Sequence, residues 1–135
     1  MKEYQCPAIP ENLRPVLTVV GEEMIACGTD TGLRQRIFVI LEELFNNVAI
    51  HAYEHSSSPG PVRITLLADM DSVQLQVADQ GVAFNPLLVD DRNRILHLDN
   101  MEEGHAGIFL VRTLASQVAY KRDNGWNRVT VLVHS

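Results

Sequence analysis

Residues 40–53 read Ile-Leu-Glu-Glu-Leu-Phe-Asn-Asn-Val-Ala-Ile-His-Ala-Tyr, and the rest of the chain is organised around this stretch. Its apolar residues recur at i, i+3, i+4 and i+7, which predicts a helix with one buried face. The residues on that face are Ile37, Leu41, Leu44, Phe45, Val48 and Ala52. Glu43, Asn47 and His51 follow one another four residues apart, so they form one stripe along its margin. This stripe would place a proton acceptor and a metal-binding oxygen about one turn apart. For three residues alone, a polar edge facing water is the simpler interpretation.

Length and composition limit the class of protein. The chain has 135 residues, of which 46% are hydrophobic and 21% charged, which predicts a single domain over residues 1–135. It shows neither an apolar run of roughly 20 residues nor the basic-then-apolar start of a signal peptide. A net charge of −6 argues against nucleic-acid binding, which needs a basic surface. Cys6 and Cys27 lack metal-like spacing and are typical of free cytoplasmic thiols. We therefore expect a cytoplasmic protein without nucleic-acid or membrane partners.

One strand and one helix are predicted before the central helix. Residues 2–8 are predicted to form an edge strand, and a first helix opens at Asn12 or the residue before it. Gly28 is expected near the end of that helix. The residues of its buried stripe are Leu13, Val16, Leu17, Val20 and Met24. Asp30 or the residue after it caps the central helix, which is predicted to run to about Glu54.

Two alternating segments after a loop at 56–61 predict an antiparallel hairpin. Apolar and polar residues alternate along 62–66 and again along 73–77. Asp79 has the parity of the apolar residues in the second strand, so we expect it to face the covered side of the sheet. A buried carboxylate there needs a hydrogen-bonding partner from the protein or from a ligand. The alternative, an aspartate that caps the turn at Gly81, remains open.

The last part of the chain predicts a long connection, a helix and a hairpin. Residues 85–105 have no clean period, and so long a connection predicts a functional lid or a mobile loop. A third helix is predicted to begin at Gly107. Strands at 118–123 and 127–133 follow, with Asn124-Gly125 suited to a type I′ turn. The whole pattern predicts an α+β fold in which three helices cover one face of a mostly antiparallel sheet of four or five strands.

Three separated segments resemble one family. Residues 43–53 are similar to the N box of the GHKL ATPases and kinases, in the form carried by bacterial anti-sigma-factor serine kinases. Residues 79–86 resemble their Asp-x-Gly box. Residues 104–111, with the strand pair after them, resemble their final glycine box and C-terminal hairpin. Each motif alone is weak, whereas three in this order, each on the expected element, make a strong signal. The resemblance covers nearly the whole chain and implies the Bergerat ATP-binding fold, a two-layer α/β sandwich.

The resemblance also implies roles for residues at the matching positions. Asp79 would accept a hydrogen bond from the adenine amino group, and Gly81 would let the backbone pass close to the base. Asn47 would offer its amide oxygen to Mg²⁺, and Glu43 would be the general base for a serine or threonine hydroxyl of a substrate protein. The nucleotide contacts implied in this way come from Asn47, Asp79, Gly81, Ala83, Phe84, Gly104, His105, Gly107 and Ile108.

The C-terminal glycine box predicts a phosphate-binding site, and at one position it departs from the family's sequence pattern. The backbone amides of Gly107 and Ile108 are suited to receive phosphate oxygens. His105 stands at the family's second glycine, and a requirement for positive φ there would strain it. Ala83 replaces a second glycine in the Asp-x-Gly box of some relatives, and His51 is interpreted as a structural hydrogen bonder. Four lid residues are candidates for phosphate contact, although solvated surface is the favoured interpretation of each: Arg92, Arg94, His97 and His105.

Three functional hypotheses follow. The leading one is an ATP- and Mg²⁺-dependent serine/threonine protein kinase of anti-sigma type. It would bind a sigma factor or similar client and phosphorylate a small antagonist protein. The second is a nucleotide-binding partner-switching module that does not transfer phosphate; Glu43 favours the first hypothesis and His105 the second. The third is the catalytic domain of a histidine kinase, weakened by the lack of a dimerisation helix pair with a phosphoacceptor histidine. A homodimer is a family trait that a free N-terminal edge strand permits.

Overall fold

A computed structural model describes residues 1–88 and 105–135 of the protein. The predictions for Gly104, the side chain of His105 and the lid residues Arg92, Arg94 and His97 lie outside the described residues. The strands are β1 (Lys2–Pro7), β2 (Pro61–Ala68), β3 (Ser72–Asp79), β4 (Gln117–Asp123) and β5 (Trp126–His134). The α-helices are α1 (Leu13–Ala26), α2 (Thr31–Asn47) and α3 (His105–Leu114). None of these helices is long and apolar enough to cross a membrane.

The five strands form one antiparallel sheet in the order β1–β2–β3–β5–β4, and the helices lie on one of its faces. Across three neighbouring strands, Ile64 pairs with Val77, which pairs with Val129. All three side chains are buried, as the predicted alternation requires. The helix residues that fill the core against them include Val16, Val20, Met24, Ile37, Leu41 and Phe45. The predicted α+β fold, with three helices over an antiparallel sheet, is confirmed.

The central helix begins as predicted and ends differently. The side chain of Asp30 accepts a hydrogen bond from the amide of Leu33 at 3.3 Å, so Asp30 is the N-cap. The α-helical part ends at Asn47 and continues as one wide π-helical turn, Val48–Ala52. The helical run therefore ends at Ala52, two residues before the predicted end near Glu54, and its last turn is π-helical, which the sequence did not predict. Turns of this kind are rare inside helices and are frequent at functional sites.

The C-terminal elements match their predictions except at one boundary. Helix α3 begins at His105, two residues before the predicted start at Gly107. The sequence favours a later start because glycine is a poor helix former, whereas here Gly107 lies inside the first turn. In the closing hairpin, Asn124 has φ 51° and Gly125 has φ 82°. Positive φ at both central residues is the signature of the predicted type I′ turn.

Candidate functional site

A cavity of about 640 Å³ lies between the end of α2, its π-helical turn and the chain that follows β3. This volume is in the range of small-molecule sites, roughly 300–1,000 Å³. The predicted site residues that line it are Asn47, Asp79, Gly81, Ala83 and Phe84. His51 also lines it, with Nδ1 3.9 Å from the carboxylate of Glu54. Residues from two separate sequence motifs, 43–53 and 79–86, therefore meet at one cavity.

Asp79 is the buried carboxylate of this cavity, with 8% of its surface exposed. Its Oδ1 accepts two hydrogen bonds, from the amide of Gly81 at 2.9 Å and from Nδ2 of Asn127 at 2.9 Å. Both alternatives from the sequence therefore hold, since Asp79 is paired inside the protein and also caps the turn at Gly81. Among the described residues, Oδ2 accepts no hydrogen bond. Burial raises the pKa of Asp79, and the two hydrogen bonds and the charge of Arg122 oppose that rise.

Gly81 is where two backbones come into contact. A β-carbon added there would collide with the carbonyl oxygen of Ala52, the last residue of the π-helical turn. Nη1 of Arg122 donates to the carbonyl of Gly81 at 2.8 Å from the other side. Any larger residue would push the turn after β3 away from the end of the helix. The glycine is therefore required by this close approach.

Asn127 is a site residue that the sequence analysis missed. It lies on β5 opposite Asp79 and is 5% exposed. Its Nδ2 donates to Asp79 and, at 2.9 Å, to the carbonyl of Val82. Its Oδ1 accepts from the amide of Phe84 at 3.2 Å and from the hydroxyl of Tyr120 at 2.6 Å. The sequence did contain a sign of this role: Asn127 is a polar residue at one of the alternating positions that β5 otherwise fills with buried valines.

Asn47 carries a buried oxygen that is suited to binding a cation. Its Oδ1 is buried and has no hydrogen-bond partner among the described residues. Leaving such an acceptor unsatisfied typically costs about 1–3 kcal/mol, so it calls for an explanation. A carboxamide oxygen is a suitable ligand for a hard cation such as Mg²⁺. The residue present therefore fits the metal that the resemblance implies, and Asn47 lines the same cavity as Asp79.

Glu43 does not line the cavity and lies instead against α3. A β-carbon added to Gly107 would collide with Oε2 of Glu43, so the carboxylate occupies the space left by that glycine. Burial raises the pKa of Glu43, and the charge of neighbouring Glu42 raises it further. A higher pKa makes the carboxylate a better proton acceptor. Gly107 and Ile108, the other predicted residues nearby, are buried in the first turn of α3.

Comparison with known proteins points to one family. The sequence pattern described as "Histidine kinase-like ATPase domain" matches residues 6–133. The serine/threonine-protein kinase BtrW of Bordetella bronchiseptica is 30% identical over 103 residues, covering 76% of this chain and 72% of that protein. The serine-protein kinase RsbW of Bacillus licheniformis is 26% identical over 133 residues, covering 91% of this chain and 79% of that protein.

Solved structures of low sequence identity share the fold. The RsbU and RsbW domains of Rv1364c from Mycobacterium tuberculosis give a TM-score of 0.63 at 18% identity. The match covers 99% of this chain and 32% of that one, so this chain spans about a third of its length. The catalytic domain of the histidine kinase ThkA gives a TM-score of 0.55 at 16% identity, covering 99% of this chain and 97% of that one.

Proposed function

The chain belongs to the histidine kinase-like ATPase domain family, and from this premise we propose that it is a serine/threonine protein kinase of anti-sigma type. It binds ATP and transfers a phosphoryl group to a serine or threonine of a small antagonist protein. The names of the relatives BtrW and RsbW, both protein kinases, support this reading over that of a histidine kinase. The observation that carries it is one cavity lined by a buried carboxylate and by an unpartnered carboxamide oxygen, from Asp79 and Asn47.

Asp79 supports the adenine end of this proposal. Its Oδ1 is already occupied by two protein donors, whereas Oδ2 accepts no hydrogen bond among the described residues. The adenine amino group is a donor and can supply that hydrogen bond. Because Asn127 and Gly81 hold the carboxylate in place, little ordering of this side chain is needed when a base binds.

Asn47 supports the phosphate end. The proposal assigns its Oδ1 to Mg²⁺, which, when bound, neutralises phosphate charge and holds phosphate oxygens in position. The backbone amides in the first turn of α3, at Gly107 and Ile108, are assigned to phosphate oxygens, since helix N-termini favour anions. Glu43 contacts this same turn at Gly107. The proposed base and the proposed phosphate-binding turn are therefore adjacent, and Glu43 accepts the proton of the attacking hydroxyl.

The remaining parts of the proposal concern partners and setting. We assign the client to a sigma factor or a similar protein, and the setting to the cytoplasm. We also propose a homodimer. In the sheet β1 is an edge strand, so its outer backbone groups are available for pairing.

The decisive experiment is a transfer assay with labelled ATP, Mg²⁺ and a candidate antagonist protein that carries a serine. We expect the parent to transfer phosphate. Glu43→Gln should keep ATP affinity while its single-turnover rate falls about 10²–10⁴-fold, because the amide keeps the shape of the side chain but not its basicity. The matched control is Glu42→Gln, since Glu42 is the exposed carboxylate next along the helix and should retain most of the parent rate.

Two results would change the proposal. A Glu43→Gln variant as fast as the parent removes Glu43 as the base. A parent that binds ATP but transfers nothing to any antagonist supports the second hypothesis, a partner-switching module without phosphoryl transfer.

A further inference from the structure

Tyr53 does not line the cavity, but it links the end of the π-helical turn to the turn at 79–81, and residues of both turns line the cavity. It is the first residue after the π-helical turn, and its side chain is half-buried against the core. Its hydroxyl donates to the carbonyl of Pro61 at 2.5 Å and accepts from the amide of Gln80 at 2.7 Å. Gln80 is the middle residue of the turn at 79–81. One side chain from the end of the helix therefore holds both the start of β2 and the turn that follows β3.

The surroundings of Tyr53 are built to hold its ring in this place. Gly60 lies beneath the ring, and a β-carbon added there would overlap Cε1 and Cζ of Tyr53. Burial is the main reason that the pKa of Tyr53 is raised, and the nearby charge of Asp79 contributes to the rise. The hydroxyl therefore stays protonated at neutral pH and remains able to donate.

The turn at 79–81 is held from two sides. From the sheet side, Asn127 binds Asp79, and Arg122 binds the carbonyl of Gly81. From the helix side, the backbone of Ala52 touches Gly81, and the Tyr53 hydroxyl accepts a hydrogen bond from the amide of Gln80. Without that hydroxyl, the described residues hold the turn to the helix by van der Waals contact alone.

We propose that Tyr53 is a positioning residue for the nucleotide base, because its hydroxyl fixes the turn that carries Asp79 against the end of α2. Asn47 lies at the other end of the π-helical turn, away from the contacts of this hydroxyl, so the base end of the site can be perturbed separately from the proposed metal ligand. The inference rests on the proposed function, since it concerns the base end of the same site. It gives a role to a tyrosine that does not itself line the cavity.

The test compares Tyr53→Phe with the parent by calorimetric titration with ATP and GTP, each with and without Mg²⁺. We expect ATP affinity to fall about five- to tenfold, as for the loss of one hydrogen bond that orders a binding group. The ratio of ATP to GTP affinity should fall with it, because a looser turn presents Asp79 less well to the adenine amino group. The tightening of ATP by Mg²⁺ should not change. A purely structural loss would lower the melting temperature without this selective loss of base discrimination.

Tyr4→Phe is the matched control. Tyr4 also packs against the core, and its hydroxyl forms no hydrogen bond among the described residues, so affinity and the ATP/GTP ratio should equal those of the parent. Gly60→Ala is the second variant, since its added methyl group displaces the Tyr53 ring while the hydroxyl remains. It should reproduce the Tyr53→Phe phenotype. It also serves as the test if Tyr53→Phe does not fold.

Amide hydrogen exchange in the parent checks the contact itself, and the Gln80 amide should be protected in the parent and lose protection in both variants. An unprotected Gln80 amide in the parent overturns the inference, as does a folded Tyr53→Phe with the affinity and base discrimination of the parent. These results leave the proposed function standing. A parent that binds neither ATP nor ADP overturns the proposed function and this inference with it.

Discussion

At the scale of single residues, the site combines one carboxylate that the protein already satisfies in part and one carboxamide oxygen that it leaves unsatisfied. Asp79 is buried, and its raised pKa shows that the fold disfavours its charge despite two hydrogen bonds. Asn47 presents a buried acceptor without a partner among the described residues. Both conditions lower the stability of the protein alone and are relieved when a donor and a cation are supplied, which is the pattern expected of a binding site.

Asp79→Asn should weaken ATP binding by about 1–3 kcal/mol while the protein stays folded. The asparagine Oδ1 can still accept from Gly81 and Asn127, so the turn is kept. Its Nδ2 would then face the adenine amino group, and since both groups are hydrogen-bond donors, no hydrogen bond would form between them. Calorimetric titration with ATP and Mg²⁺ measures the change. Asp71→Asn, at an exposed residue in the β2–β3 turn, should bind as the parent does. Equal affinity of the parent and Asp79→Asn would disprove the assignment to adenine.

Asn47→Ala should remove most of the tightening of ATP that Mg²⁺ produces in the parent, because it deletes the proposed metal ligand. Affinity for ATP without Mg²⁺ should change little. The neighbouring carboxamide gives a matched control: Asn46 does not line the cavity, so Asn46→Ala should retain the metal dependence. Titrations in Mg²⁺ and in a chelator give the two affinities. If the parent itself binds ATP equally well in both, the metal role of Asn47 is wrong.

At the scale of elements, the sequence predicts which segments are helices and strands, because apolar periodicity of 3.6 and of 2 directly records which face is buried. It does not predict the π-helical turn at Val48–Ala52, since this is the last turn of the helix and too few residues follow it to show a shift in the apolar pattern. The early start of α3 has a similar cause. Gly107 looks like a helix boundary in the sequence, but its missing side chain makes room for Glu43 across the interface of α2 and α3.

Gly107→Ala tests that interface through a double-mutant cycle. In the parent, the added methyl group collides with Oε2 of Glu43, so the variant should lose about 1–3 kcal/mol of unfolding free energy. In the Glu43→Ala background the collision with Oε2 is absent and only a tight approach of 3.3 Å to the β-carbon at position 43 remains, so the same change should cost clearly less than in the parent, helped by the better helix propensity of alanine. Urea denaturation of the four proteins gives the coupling energy. The same loss in both backgrounds would contradict the packing of Glu43 against Gly107.

At the scale of the whole molecule, the site exists because the sheet order places β5 beside β3. That order puts Asn127 opposite Asp79, although 48 residues separate them in the chain. The alternation of inward and outward side chains could predict that Asp79 faces inward, because this alternation can be read from a single strand. Its partner depends on strand order and register, which a single sequence does not record. For the same reason the contact between Tyr53 and Gln80 could not be predicted, since it joins two motifs through their backbones.

The raised pKa values of two carboxyl groups make the free energy of unfolding depend on pH. Burial raises the folded-state pKa of Asp79 and of Glu43 above their ordinary values, 3.8 and 4.5. Between the ordinary and the raised pKa, the folded state binds more protons than the unfolded state, so unfolding free energy falls as pH rises. Their contribution is greatest below pH 3.8 and has been lost once pH exceeds the raised pKa values. Asp69 behaves in the opposite way, since hydrogen bonds from Asp71 and Ser72 lower its pKa.

The double variant Asp79→Asn, Glu43→Gln should therefore be more stable than the nucleotide-free parent at pH 7, and this advantage should shrink as pH falls through 4.5 toward 3.8. Urea denaturation at a series of pH values measures it. Asp69→Asn is the control of opposite sign: it should lose stability at pH 7, and the loss should vanish in acid because the parent carboxylate is then protonated. ATP with Mg²⁺ should shift the balance toward the parent at pH 7, since a ligand at 100 times its Kd adds about 2.7 kcal/mol to the parent and less to a variant that binds more weakly. A double variant less stable than the nucleotide-free parent at pH 7 would show that these carboxylates serve the fold rather than the ligand.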